Sequence, residues 1–292
     1  LNSFVHKNIL AEKNFKKSLI FNRENEDLVF QLDSLSEILD YALFIRPDLF
    51  PISIIEKIKT KSSLTVGYQW DGLKRYPNIY PRINLFDRFF VFDPQDLKNK
   101  NTMPITNFFT SGITISEPTY DIYFIGSYIP ERMDDIYDFF NLISDQSLRI
   151  NASIYTNSKK ISHTITQKCD TLDVRSLPVS FDENINYVSK SKVIVDFSNY
   201  AHHGLSFRVF EALGNNKKLI TTQVSIKYYE FYNSKNILIL TKNTTKDEIV
   251  DFINSAYIPV DEKLKAKYSF ENWINYVLNS SYHTPIPLPI LD

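Results

Sequence analysis

Apolar runs of strand length alternate with stretches of helical period along most of the chain, which is the pattern of parallel α/β units. The first series comprises a strand at Asp40 to Ile45, a helix at Ser53 to Lys61, and strands at Ser63 to Tyr68 and Arg88 to Phe92. These predict half of a Rossmann-like unit. From Leu97 to Thr119 the sequence is largely polar, carries Pro104, Gly112 and Pro118 and loses its period, so it reads as a linker. A fresh strand at Tyr120 to Ile125 opens a second series: a helix at Met133 to Ile143, a strand at Ser147 to Tyr155, a helix at Asp182 to Ser189 and a strand at Lys192 to Phe197. A helix at Leu205 to Leu213, strands at Lys217 to Thr222 and Asn236 to Leu240, and helices at Lys246 to Ser255 and Ser269 to Leu278 complete it. The proline-rich tail, His283 to Pro289, is expected to be an extended strap or disordered. Two Rossmann-like domains are therefore expected, residues 1–110 and 111–292, facing each other across a cleft.

Composition fits this reading. A chain of 292 residues can bury two cores, and no apolar run approaches the roughly 18 residues that a membrane span needs. Its 33 basic and 34 acidic side chains give a net charge of -1, too little for a global field that grips a nucleic-acid backbone, so no nucleic-acid partner is expected. Cys169 is the only cysteine and can form no internal disulfide, and the first residues lack a secretion-signal pattern, so the expected location is cytoplasmic. With no His-x-x-Glu-His or Asp-x-Asp signal, no metal is expected. Only six glycines occur, which makes each a marker for a close approach or an unusual backbone angle.

Ligands of open parallel sheets bind at the carboxyl ends of strands, where loops feed helix N-termini. Three such loops carry chemistry. Gly126-Ser127-Tyr128 follows the strand that opens the second series; the glycine admits a ligand to the backbone, the next helix offers N–H groups to a phosphate, and Arg132 adds a charge. Its alternative is a plain strand-to-helix turn. The second stretch, Val193 to Thr222, joins a buried strand ending at Asp196 to a polar loop with His202, His203 and Gly204 and to a helix carrying Ser206, Arg208 and Glu211. A helix dipole, a forked guanidinium and a carboxylate one turn in can hold a diphosphate and a ribose. The alternative is a solvent-exposed Arg208–Glu211 pair on an ordinary amphipathic helix. The third loop, Gln69-Trp70-Asp71, offers a ring for a sugar face and a carboxylate to take a proton from an acceptor hydroxyl. Otherwise Trp70 packs in an interface and Asp71 caps the next turn. Asp196 either holds its loop or contacts substrate, even as a nucleophile, and the aromatics Tyr228, Tyr229, Phe231 and Tyr232 read first as a core helix and second as a base-stacking platform.

The stretch with small-Gly-Leu at Gly204, Glu-Ala-Leu at Glu211 and a basic strand ending in Thr221-Thr222 resembles bacterial GT-B glycosyltransferases related to spore-maturation and surface-polysaccharide proteins. YALFIRPD (Tyr41 to Asp48), GYQWDGL (Gly67 to Leu73), FDRFFVFDPQD (Phe86 to Asp96) and YSFENW (Tyr268 to Trp273) extend the resemblance over nearly the whole chain. It implies an α/β fold of the GT-B kind and a nucleotide sugar and a glycan acceptor (lipopolysaccharide or capsule) as partners. It also implies metal-independent transfer with no cofactor beyond the donor, possible association with the inner membrane or other synthesis enzymes, and a closing C-terminal helix. Many relatives carry two glutamates with seven residues between them, the second on the ribose; Glu211 matches that one, while His203 stands at the first position. Donor nucleotide (UDP, GDP, dTDP or CMP), donor sugar and stereochemistry stay open. The resemblance puts the family's opening strand and helix before Leu1, with Leu1 to Glu37 as a variable connection, unless Ile20 to Phe30 supplies a substitute. The site so implied has Asp71 and His203 as catalytic groups and Gly126, Ser127, Arg132, Gly204, Ser206, Arg208 and Glu211 around the nucleotide. A non-catalytic glycan-binding or scaffold module is the competing class.

Overall fold

Strand segments that are apolar on both faces become the centres of two parallel sheets, because both faces are covered. The computed structural model describes residues 26–34, 36–110, 116–145, 147–280 and 282–291. A helix over residues 26–34 (α1) precedes β1 (Leu39–Ile45), α2 (Ile52–Thr60), β2 (Ser62–Gln69), β3 (Arg88–Val91) and β4 (Met103–Pro104). The four strands pair in parallel in the order β1-β2-β3-β4. Between β2 and β3 the chain makes short 3-10 turns, Leu73–Arg75 and Pro77–Leu85, since Pro77 and Pro81 disrupt a regular helix there. The expectations for Leu1 to Asn25, including the start of the Ile20 to Phe30 stretch, lie outside the described residues.

The second sheet holds β5 (Tyr120–Ser127), then α3 (Met133–Leu142), β6 (Ile150–Tyr155), α4 (Lys159–Lys168), β7 (Asp173–Arg175), α5 (Phe181–Ser189), β8 (Ser191–Asp196), α6 (Phe207–Gly214), β9 (Lys218–Thr221) and β10 (Ile237–Ile239). All its pairs are parallel, in the order β10-β9-β8-β5-β6-β7. That order reverses between β5 and β8, so the crevice of this doubly wound sheet opens at the carboxyl ends of those two strands. The helices α7 (Lys246–Asn254), α8 (Glu262–Ala266) and α9 (Phe270–Leu278) follow. Local chemistry agrees with each start: Ser180, Ser206 and Ser269 cap α5, α6 and α9, and Thr245 with Glu248 forms a capping box on α7.

One core lies under α3 and α7, where Ile136, Phe140, Ile249 and Ile253 cover Val193, Val195 and Ile220. A second runs through both halves: Tyr68 and Phe90 of the first sheet share it with Val209, Phe210, Trp273 and Tyr276. Helix α9 is the joint, with Trp273 at 5.1 Å from the Tyr68 ring and its indole N–H donating to the Thr106 carbonyl at 2.9 Å. The segment expected to be an unpatterned linker is, over its described part, structured: it forms β4, and Ile105 and Phe109 are buried. Pro104 sits on an edge strand, where its missing N–H costs no ladder bond, and that is why a proline-marked stretch still pairs. Gly112 lies outside the described residues. The tail is a strap, with Ile286 and Leu288 buried in the shared core. The sequence reading missed α4, β7 and α8, all short or largely polar. Among the described residues no helix is long and apolar enough to cross a membrane.

Candidate functional site

Strand β8 delivers Asp196 to the switch point, 7% exposed. The loop that follows is held from two sides: Ser198 N–H donates to the Thr222 hydroxyl at 2.8 Å, and the His203 carbonyl accepts from the Gln223 amide at 2.9 Å. At Gly204 an added Cβ would lie 2.4 Å from the Phe92 ring, so only glycine lets this loop press on the first half. Ser206 then caps α6, its oxygen accepting from the Arg208 N–H at 3.2 Å. The N-terminal dipole of α6 thus lies just beyond the carboxyl end of β8.

One turn of α6 carries Arg208 and Glu211, and they pair through Arg208 Nη1. The pairing matches the alternative raised from sequence, but its setting does not. Both side chains are largely sheltered, and Asn184 of α5 knits them, accepting from Arg208 Nη1 at 2.8 Å and donating to Glu211 Oε1 at 2.9 Å. The Tyr123 hydroxyl donates to the same Asn184 oxygen at 2.8 Å. Burial opposes charge on Arg208, yet Glu211 beside it holds the guanidinium above the usual arginine range. Among the described residues the Arg208 side chain donates only through Nη1, leaving its other guanidinium N–H groups for a ligand.

Gly126 and Ser127 close β5 instead of forming the loop after it, and Arg132 folds back over them. A Cβ at Gly126 would lie 2.8 Å from Arg132 Nη2, so this glycine makes room for the guanidinium. Arg132 donates to the Ser127 carbonyl at 2.8 Å and more loosely to the Phe197 carbonyl at 3.5 Å, while its buried Nε–H has no partner. Burial pulls its charge below the usual arginine range, with Asp196 opposing. Asp196 is itself pushed up to about 6 by burial, which Ser206, Arg132 and Arg208 only partly offset. The structure therefore gathers Gly126, Ser127, Arg132, Asp196, Gly204, Ser206, Arg208 and Glu211 around one helix N-terminus. Two guanidiniums and a helix dipole suit a phosphate; a carboxylate one turn in suits vicinal hydroxyls.

The proposed catalytic pair is placed differently. His203, with its side chain 47% exposed, turns toward the first half. Its backbone N–H donates to Asp93 at 3.1 Å, its Nδ1 lies 4.0 Å from the same carboxylate, and its Nε2 is 3.5 Å from the Gln95 amide. Neighbouring His202 is held by burial below the usual imidazole range, its Nδ1 at 3.1 Å from the Gly204 carbonyl. Asp71 neither caps the next turn nor stands open. Its oxygens accept from Arg46 Nη1 at 2.8 Å and Arg75 Nη1 at 3.2 Å. Arg46 also forks onto Asp48 with two bonds of 2.7 Å, and its guanidinium lies 4.0 Å over the Tyr76 ring. A general base must present an oxygen to the hydroxyl it deprotonates, and both Asp71 oxygens are engaged by guanidiniums. Trp70 is 39% exposed and meets the Tyr68 and Phe207 rings edge-on at 6.5 Å, bridging the first half to the start of α6.

Asn184, Tyr123, Asp93 and Arg46 escaped the sequence reading. Asn184 had a signal: a polar side chain four residues before Val188, on the face of α5 that must be buried. Asp93 had one too, as an aspartate before a proline at a strand end, the usual cap position.

No protein-family model matches the chain, and no curated protein does. Solved structures do. TarM superposes with a TM-score of 0.56 at 17% identity, over 87% of this chain and 58% of its own. The N-terminal domain of Candida albicans trehalose-6-phosphate phosphatase gives 0.50 at 10% identity, over 90% of this chain and 75% of its own. AviGT4, a glycosyltransferase involved in avilamycin A biosynthesis, gives 0.48 at 9%, over 78% of each chain. The chain thus spans 58% of the length of TarM. With two parallel Rossmann-like halves meeting at α6, the fold is GT-B.

Proposed function

We propose that this chain is a glycosyltransferase that moves a sugar from a nucleotide donor to a glycan acceptor. The observation that supports it most is the Asn184-knit Arg208–Glu211 pair, set beside Arg132 at the N-terminus of α6, at the switch point of the sheet. In this reading residues 111–292 hold the nucleotide sugar and residues 1–110 the acceptor. Ligand phosphate takes the free Arg208 N–H groups in the field of Arg132, and Glu211, whose oxygens keep lone pairs beyond those that Asn184 and Arg208 use, accepts from the ribose hydroxyls. The sugar–phosphate C–O bond breaks with its electron pair going to phosphate, where the guanidiniums and helix dipole stabilise it without a metal. A C–O bond to the acceptor forms, and its proton leaves to His203, or to the departing phosphate in a retaining course. His203 takes this role in place of Asp71, since its ring is half open and its Nδ1 lies 4.0 Å from the Asp93 carboxylate. A surface glycan such as lipopolysaccharide or capsule is the proposed acceptor, used at the cytoplasmic face of the inner membrane.

A thermal-shift panel of UDP, GDP, dTDP and CMP tests the nucleotide part. A ligand at a hundred times its Kd adds about 2.7 kcal/mol to the folded state, so at least one should raise Tm by several degrees. If none does, the reading is lost. The double ion pairing of Asp71 favours a second reading, a non-catalytic glycan-binding or scaffold module. Release of free nucleotide from a bound nucleotide sugar separates the two, since only a transferase or its slow hydrolytic side reaction produces it.

A further inference from the structure

A groove of about 600 Å³ lies outside the cradle, between α3 and the turn after β10. Its volume fits a ligand of several hundred daltons. Phe139 and Ile249 form an apolar floor. The rim is hydrogen-bonding: Asp135 and Asp138 from one face of α3, and Thr241 and Thr244, whose hydroxyls lie 3.1 Å apart, from the turn. The far wall is Tyr200, a residue 62% exposed whose hydroxyl donates to Asp135. Its side chain remains largely open to solvent. Tyr200 belongs to the loop between β8 and α6 that also carries His203, Gly204 and Ser206, so groove and cradle share a wall.

An open aromatic face beside carboxylates and hydroxyls suits a sugar ring: C–H groups lie on the aromatic face, and the equatorial hydroxyls donate to carboxylates. The charge at the rim sharpens the choice. Two carboxylates against Lys242 repel uronates and phosphates, whereas a neutral or amino sugar meets no such cost. We propose that this groove is a saccharide-binding subsite for a neutral or amino-sugar chain, gripping the acceptor remote from its reacting end. The placement rests on the transferase reading; the binding itself does not. Holding a distant part of a glycan next to the cleft raises the effective concentration of its reacting end.

Calorimetric titration with maltotetraose, cellotetraose, a chitosan tetramer and a galacturonate tetramer tests the proposal. At least one of the first three should bind. Tyr200→Ala should weaken that binding about fivefold or more, as loss of an aromatic contact does, while Tyr200→Phe retains it within about twofold. Asp138→Asn supplies a second variant that leaves the cradle loop untouched, and it too should weaken binding. Asp138→Asn should leave the thermal shift given by nucleotide unaltered. The subsite is overturned if no tetrasaccharide binds, if only the galacturonate does, or if binding survives both Tyr200→Ala and Asp138→Asn. Saccharide binding without any nucleotide shift keeps the subsite and sinks the transferase reading; a nucleotide shift without saccharide binding does the reverse.

Discussion

The two halves each set an arginine and its carboxylates at the carboxyl end of a parallel sheet, but with different results. Arg46, in the first half, is saturated: two bonds to Asp48, one to Asp71, and a tyrosine ring beneath it. Asp48 is buried and, burial notwithstanding, held below the usual carboxylate range by Arg46. Arg46 itself adopts φ 58, a left-handed angle that a non-glycine residue takes only when its surroundings hold it. Arg208, in the second half, spends one nitrogen on protein partners and stands beside a helix N-terminus and a second, under-satisfied guanidinium on Arg132. The same residue types therefore make a structural clasp where every guanidinium nitrogen has a carboxylate partner, and, in the proposed cradle, a guanidinium with nitrogens left over.

Removing each arginine should separate the two roles. Arg46→Ala leaves the buried Asp48 carboxylate uncompensated and should cost about 3 to 5 kcal/mol of stability, read as a fall in Tm or in denaturant midpoint. Nucleotide affinity in whatever folds should change little. Arg208→Ala should do the opposite, weakening nucleotide binding by well over tenfold, about 2 to 5 kcal/mol, with a smaller loss of stability. If Arg46→Ala abolishes nucleotide binding at unchanged Tm, the clasp and the cradle have been assigned the wrong way round.

Asp71 gives the next largest effect. As part of the clasp, Asp71→Asn should lower stability by about 1 to 3 kcal/mol through weakened charged hydrogen bonds and leave nucleotide Kd within a fewfold. A fall in kcat of a hundredfold or more at unchanged Tm would return the general-base role to Asp71.

The smallest predicted effect is one of pH. Asp196, raised to about 6 from its ordinary 3.8, binds its proton more tightly in the folded state. Its contribution to stability is therefore fully present below about pH 3.8 and is lost as pH rises through about 6. The neutral carboxyl also ceases to compete with phosphate for Arg132 and Arg208, so nucleotide binding should strengthen modestly as pH falls through 6. Asp196→Asn should flatten both trends relative to the wild type, which cancels titration of the nucleotide itself. Parallel profiles for the two proteins would show that Asp196 does not face the ligand.

Much of the second half was legible because its strands are buried on both sides and its helices begin at cap residues, so period and punctuation agree at Ser206 and Thr245. Arg208 and Glu211 could be placed on one helical face from spacing alone. Their shared partner Asn184 could not, since it comes from another helix 24 residues before Arg208. Asp71 looked like a free base because sequence shows a carboxylate between glycines, not the guanidiniums that fold onto it from just after β1 and from the next turn. The linker failed for a different reason: Ile105 and Phe109 are too few to show a period, yet each is buried by contacts made across the whole fold.

A crystal of the protein soaked with the nucleotide that stabilises it most tests the central claim directly. The account predicts phosphate density at the N-terminus of α6, within hydrogen-bond distance of Arg208, with ribose hydroxyls on Glu211. Density for the nucleotide in the Tyr200 groove or elsewhere, with the α6 N-terminus left empty at saturating concentration, would contradict it.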